Sequence, residues 1–455
     1  MTTTTTPVAF RGRLLAVLLT GQFMANVDTA IVNVAAPSIA AELAATGGQL
    51  ALVVSGYLVA YAVLVVTGAR LGAAHGHRRV FCGGLALFTL ASLACGLATG
   101  PVTLIAVRFA QGAGAGLMVP QVLSGIQLHF TGPHRMRALG WYAIALSGGA
   151  VTGQVLGGLL VSANLFGLSW RPIFLINVVL GVPLLAAARL VLPRDDGRGD
   201  RPVTAAPVVA LSVSVLLLIV PLVLGRDQHW PLWTWLCLAA SVPAFVGFLR
   251  VDRRAPAPLI APEVFRDPLV RNGLLAHGLT TMTYFSLLFV LALYLQQGLR
   301  TGPVYSGLAM VSWVVAFGVG GKLPVRFLPR RRAVTGCLVL ATGYVAVWVY
   351  LLAGGRAGLP LSGLLTIGGL GLGISASALV GTMTSALPDR YAADLSGLIT
   401  TNAQLTGALG IAVAGTAYLA LPVPPATAFT LVLIGFTVLA LLGATAATRT
   451  TRALP

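Results

Sequence analysis

Along nearly the whole chain, apolar runs long enough to cross a bilayer alternate with short stretches that hold most of the charge. Fourteen such runs stand between clusters of charge, proline and glycine, the first near 14–39 and the last near 426–447. A helix rises about 1.5 Å per residue, so about 20 apolar residues match a hydrocarbon core of about 30 Å. In that medium a helix also satisfies its own backbone polar groups. With 57% hydrophobic and only 9% charged residues, the chain lies far from the roughly 25% charge of soluble domains. The expected fold class is an all-α polytopic membrane protein. The first run follows Arg11 and Arg13, exceeds a signal-peptide core and lacks a small-residue cleavage site, so it is expected to be a retained helix.

The formal charge of +18 raises the question of a nucleic-acid partner, but the basic residues are scattered over short loops and form no single basic face. Orientation in a membrane accounts for them better. With the N-terminus placed in the cytoplasm, 24 of the 29 basic residues fall on the inner side. Arg171, Arg226, Arg300 and Arg356 fall outside, and Arg108 lies within a span. Positive charge concentrates on the cytoplasmic side of membrane proteins, and an even number of spans returns the C-terminus to that side. Trp170, Trp230, Trp233 and Trp235 then mark the outer interface as an aromatic belt.

The stretch GARLGAAHGHRR, Gly68 to Arg79, has a counterpart in GKLPVRFLPRRR, Gly321 to Arg332. Each opens with glycine, ends with a basic pair and joins two helices on the cytoplasmic side, as internal repeats of transporters do. Their separation exceeds six spans and leaves room for two more. The division expected is 1–192 as an N-terminal six-helix bundle, 193–203 as a linker and 204–250 as two inserted helices. A second linker follows at 251–269, and a C-terminal six-helix bundle at 270–455. Glycine clusters at Gly112, Gly114 and Gly116, and at Gly149, Gly153, Gly157 and Gly158, suggest helices that pack closely and must slide or bend.

No phosphate-binding loop or catalytic triad appears, and Cys82, Cys95, Cys237 and Cys337 lack metal-ligand spacing. No catalytic residue, metal or cofactor is expected. Asp28 is the one acid well inside a span. Such a charge costs at least about 2.5–3.5 kcal/mol to insert and is a functional candidate for that reason. Burial raises a carboxyl pKa and a nearby cation lowers it, so Asp28 can change protonation as its surroundings change. Arg108 is the one cation at comparable depth, and Gln111 shares its helix face. Either Asp28 or backbone carbonyls are its expected partners. Asn33, Gln111, Gln154, Asn402 and Gln404 are candidates for a central cavity beside them, each equally suited to an interhelical hydrogen bond, and His277 of the ninth run is a further candidate whose plainer reading is a packed neutral histidine.

These residues resemble the major facilitator superfamily, and within it the fourteen-span drug:proton antiporter branch. VDTAIVNVAAPSI is similar to that branch's first-helix motif, with Asp28 at its acid; LIAVRFAQGAGAG is similar to the fourth-helix motif, with Arg108 at its arginine. SWRPIFLINVVLG, YLQQGLRTGPVYSGL and SGLITTNAQLTGALG follow in the family's order. The chain departs from the pattern twice. Ala73 and Ala74 replace the Asp-Arg of the loop motif, although Gly76, Arg78 and Arg79 remain; Gln154 replaces the proline after Gly153.

The resemblance implies two six-helix bundles plus two inserted helices, with Asp28 and Arg108 coupling protons to the export of small amphipathic compounds. It implies a proton gradient in place of a cofactor, and a monomer in a bacterial cytoplasmic membrane. Because every basic residue except Lys322 is arginine, a GC-rich antibiotic producer is the expected source, and a dedicated exporter for one secondary metabolite is the second reading. A transport-inactive sensor or scaffold is a third, motivated by Ala73, Ala74 and Gln154.

Overall fold

The computed structural model describes residues 8–195, 204–256, 258–259, 262–323, 331–388 and 391–452. Fourteen helices in it are long and apolar enough to cross a membrane. The first six are α1 (Arg11–Leu43), α2 (Gly47–His75), α3 (His77–Gly96), α4 (Pro101–His129), α5 (Gly132–Ala163) and α6 (Pro172–Val191). Two more, α7 (Ala205–Leu224) and α8 (Leu232–Arg254), form a hairpin. The last six are α9 (Pro268–Gly298), α10 (Pro303–Lys322), α11 (Arg332–Leu352), α12 (Leu359–Ala386), α13 (Asp394–Ala420) and α14 (Pro425–Thr450). An even number of crossings puts both ends of the described chain on one face, called here the terminal face; the other is the far face. Most of the linker expected at 193–203, parts of 251–269, and 324–330 of the repeated loop lie outside the described residues.

Helix starts follow local chemistry. Proline opens α4, α5, α6, α9, α10 and α12 within the first turn, where a missing N–H costs nothing. Thr46 and Gln49 close a capping box on α2, and the Asp267 carboxylate accepts from Leu269 N–H at the start of α9.

The packing pattern of the first six helices repeats in the last six. Thus α2, α3 and α4 pack as α10, α11 and α12 do, and α1 against α5 as α9 against α13. Glycine permits these approaches: a Cβ on Gly112 would lie 2.2 Å from Tyr57 O, and one on Gly153 would lie 2.6 Å from Val27 O. Along α5, Gly149 and Gly157 likewise face α1, while Gly158 faces Pro303 O of α10. Both α4 and α5 run through their glycine clusters without a break, and the glycines there serve close packing. In α4 the sharper perturbation is Pro120, which offers no N–H to Gly116 O; Gly68 of α2 packs on that carbonyl, 2.2 Å from where its Cβ would be.

Two π-helical turns interrupt the last six helices, Tyr294–Gly298 in α9 and Ile411–Gly415 in α13. Gln296, in the first, donates to Val34 O of α1 at 2.9 Å. Trp230, Trp233 and Trp235 stand at the far end of the α7–α8 hairpin, with Trp235 57% exposed. Trp170 departs from the expected belt. It is fully buried, against Phe174 and beneath the Arg171 guanidinium.

A buried charge cluster beside an uncharged cavity

The two deep charges meet. Arg108 Nη1 of α4 donates to Asp28 Oδ2 of α1 at 2.6 Å, with the side chains 1% and 0% exposed. Arg108 also donates to Gln111 Oε1 at 2.7 Å and, through Nε, to Val53 O of α2 at 3.0 Å. Its guanidinium carbon sits 4.5 Å from the Tyr57 ring centroid and 5.7 Å from that of Phe174, so the faces of the cation are covered by aromatic rings.

Asp28 Oδ1 accepts from Gln111 Nε2 at 2.7 Å and from Asn177 Nδ2 of α6 at 2.9 Å. Both amides also donate to Ser92 Oγ of α3 at 3.0 Å, and the Ser92 hydroxyl donates in turn to Phe174 O at 2.9 Å. Removing one partner from a buried, hydrogen-bonded ion pair typically costs about 3–5 kcal/mol, because the remaining charge is left uncompensated. The cluster joins α1, α3, α4 and α6, all in the first bundle.

Ser92, Asn177, Tyr57 and Phe174 were not singled out by the sequence. Single hydroxyls, amides and rings in apolar spans are common as helix-packing groups, and only the fold shows that these converge on Asp28. The other polar candidates do not gather there. Asn33 bonds its own helix at Thr29 O, and Gln154 is fully buried at the α5–α10 contact. His277 and Asn402 face one another across α9 and α13, with Nδ1 and Nδ2 3.5 Å apart. The expected single cavity containing all of them is therefore replaced by separate sites. Helical phase gives the reason. Gln22, Asn26 and Asn33 are spaced by four and seven residues along one face of α1, whereas Asp28, two residues beyond Asn26, points to another.

Between the halves lies a cavity of about 310 Å³ on the terminal side, walled by α1, α2, α4, α5 and α13. Gln22 and Asn26 reach it from α1, Tyr61 from α2, Tyr142 from α5 and Gln404 from α13. Of the polar candidates named from the sequence, Gln404 alone is among its described lining residues. Toward the far face the seam is tight. A Cβ on Gly307 of α10 would stand 2.3 Å from Gln154 O, and one on Gly47 would stand 2.6 Å from Leu419 of α13.

The repeated-loop glycine Gly76 adopts φ +95°, and a Cβ there would lie 2.3 Å from Asp195 O. Asp195, just past α6, accepts from His77 N–H at 2.6 Å and from Arg78 N–H at 3.3 Å. A carboxylate at the first amides of a helix is favourable for charge and capping alike. An acid thus does stand at this loop, although the loop itself carries Ala73 and Ala74. The Arg78 guanidinium donates to Arg189 O of α6, while Arg79 is exposed.

Two bundles of repeated packing about a cavity at their seam are the architecture of a membrane transporter. The chain belongs to the Major Facilitator Superfamily, whose family model matches residues 18–411. It is 37% identical over 435 residues to the "Probable actinorhodin transporter" of Streptomyces coelicolor, covering 93% of this chain and 75% of that protein. It is 36% identical over 416 residues to the cephamycin export protein CmcT of Amycolatopsis lactamdurans, covering 88% of this chain and 83% of that one. A solved bacterial homologue of the human lysosomal transporter Spinster, in an inward-facing and unoccupied conformation, superposes with a TM-score of 0.70 at 16% identity. That match covers 98% of each chain and supports the fold.

Proposed function

We propose that this chain is a proton-coupled antiporter that exports small amphipathic organic compounds across the bacterial cytoplasmic membrane by alternating access. The observation that carries the reading is the double duty of α1. One face presents Asp28 to the charge cluster, and another presents Gln22 and Asn26 to the cavity. As a carboxylate, Asp28 accepts three hydrogen bonds that tie α1 to α4 and α6. A proton on it removes the attraction to Arg108, which keeps Gln111, Val53 O and two rings. Protonation then loosens α1 from its bundle while α1 also touches the substrate, and this links the two events.

The terminal face is assigned to the cytoplasm from its basic residues, so substrate loads from inside. Each proton entering supplies about 2.3 kcal/mol per 100 mV and about 1.4 kcal/mol per pH unit. No cofactor is required, and a monomer suffices because cavity and cluster lie within one chain. In reconstituted vesicles, Asp28→Asn is expected to abolish proton-driven efflux while leaving membrane insertion intact, with a lowered melting temperature because Arg108 loses its carboxylate partner. Full proton-linked transport by that variant would refute the role of Asp28.

The names of the two relatives, each tied to one antibiotic, favour a narrower second reading as dedicated exporter of a single secondary metabolite. Resistance profiles in an efflux-deficient host separate the two. Protection against one structural class supports the narrow reading, and protection across unrelated classes supports the broad one.

A further inference from the structure

The cavity at the seam contains no Asp, Glu, Lys, Arg or His among its described lining residues. The nearest deep acid, Asp28, points away from it with both oxygens engaged. A charged guest would therefore give up water without finding a counter-ion, which is strongly unfavourable in an apolar site. What the cavity does offer is amide chemistry. Gln22 is 2% exposed, and its Oε1 has no partner among the described protein groups; Asn26 Nδ2 and Gln404 Oε1 are likewise unpaired. A guest with matching groups gains these hydrogen bonds in exchange for water, each worth about 0.5–1.5 kcal/mol net, and a guest that leaves one of them dry and unpaired loses about 1–3 kcal/mol. Tyr61, Tyr142 and Leu123 supply flat apolar wall, and about 310 Å³ is within the range of small-molecule sites.

We infer that this cavity takes an uncharged, flat amphipathic molecule presenting both a hydrogen-bond donor and an acceptor, and that Gln22, Asn26 and Gln404 determine its specificity. The inference rests on the exporter reading and adds the substrate class. Gln22 and Asn26 belong to the first bundle and Gln404 to the second, so one guest bridges the seam. Such a guest binds the state in which these amides converge more tightly than the state in which they part, and this differential affinity is what shifts a conformational equilibrium.

The test uses the full chain in lipid nanodiscs and two fluorescent probes sharing one ring system. Acridone is neutral, with an N–H donor and a carbonyl acceptor; N-methylacridinium carries a fixed positive charge and neither group. Acridone is expected to bind at least about tenfold tighter. Gln22→Leu, Asn26→Leu and Gln404→Leu are each expected to weaken it by about fivefold to thirtyfold without changing the affinity for the cation. Gln404→Glu is expected to tighten N-methylacridinium instead, and this gain tests the site even where a Leu variant folds poorly. Failure of acridone to bind, equal affinity for both probes, or acridone affinity indifferent to all three Leu substitutions overturns the inference. Amide-dependent acridone binding without proton-linked transport supports it and overturns the antiporter reading alone.

Discussion

The interiors of the two bundles share a helix arrangement and differ in chemistry. In the first, α1, α3, α4 and α6 converge on Asp28, Arg108, Ser92 and Asn177, all buried and polar. In the second, the repeated helices converge on aromatic rings. Tyr344 of α11 stacks on Trp313 of α10 with centroids 5.7 Å apart, meets Phe436 of α14 at 5.5 Å, and donates to Thr283 Oγ1 of α9 at 2.6 Å. Gly368 of α12 makes the room, since a Cβ there would stand 2.2 Å from the Trp313 ring. A protonatable pair can report on its surroundings, whereas a packed aromatic stack can only hold its shape. The buried ion pair thus lies in one half, and on the antiporter reading proposed above that half carries the coupling chemistry.

Substitutions on the two sides sharpen this contrast. The largest expected effect is that of Asp28→Asn, a fall of proton-driven efflux to the background leak, read as substrate-linked acidification in vesicles. Arg108→Met comes next. It strands the carboxylate and should cost about 3–5 kcal/mol of stability, whereas the double variant Asp28→Asn/Arg108→Met recovers most of the loss in the same melting assay. Trp313→Ala should cost a similar amount, about 3–5 kcal/mol, but leave the pH dependence of efflux where it was. A shifted pH profile in that variant would break the division of labour between the halves.

Between the bundles, Gly307→Ala meets Gln154 O without disturbing either interior. It is expected to open the far side, lengthening the spin-label distance between Leu159 and Leu308, with a smaller change in melting temperature. The smallest effect belongs to Tyr344→Phe, about 1 kcal/mol for one hydrogen bond, with coupling unaffected.

Most of this fold was legible because the bilayer reduces folding to spans of one length, and fourteen apolar runs delimit them. The Asp28–Arg108 pair was legible for the same reason: two opposite charges at similar depth have few other partners. Gln111 followed from its place on the Arg108 face. Ser92 and Asn177 did not, because their role depends on how α3 and α6 are rotated about their axes, which apolar spans leave nearly undetermined. The mistaken gathering of Asn33, Gln154 and Asn402 came from depth alone. The phase of α1 already separated Asn26 from Asp28, and the same phase picks out Gln22 and Asn26 as the cavity face. The acid at the repeated loop was hidden differently, since Asp195 arrives from a part of the chain remote from Gly76.

The α7–α8 hairpin touches both halves near the far face. Asp227 accepts from Gly48 N–H of α2 at 3.0 Å, and Thr416 of α13 donates to Leu222 O of α7 at 3.4 Å. Helix α7 has only 20 residues, a length of about 30 Å, so it spans an average bilayer with no slack to tilt. A thicker membrane is therefore expected to thin around α7 or draw on its ends, and the far end carries the contacts to α2 and α13. Lipid thickness is thereby expected to bear on the contact between the halves, through a helix that lines neither the cavity nor the charge cluster.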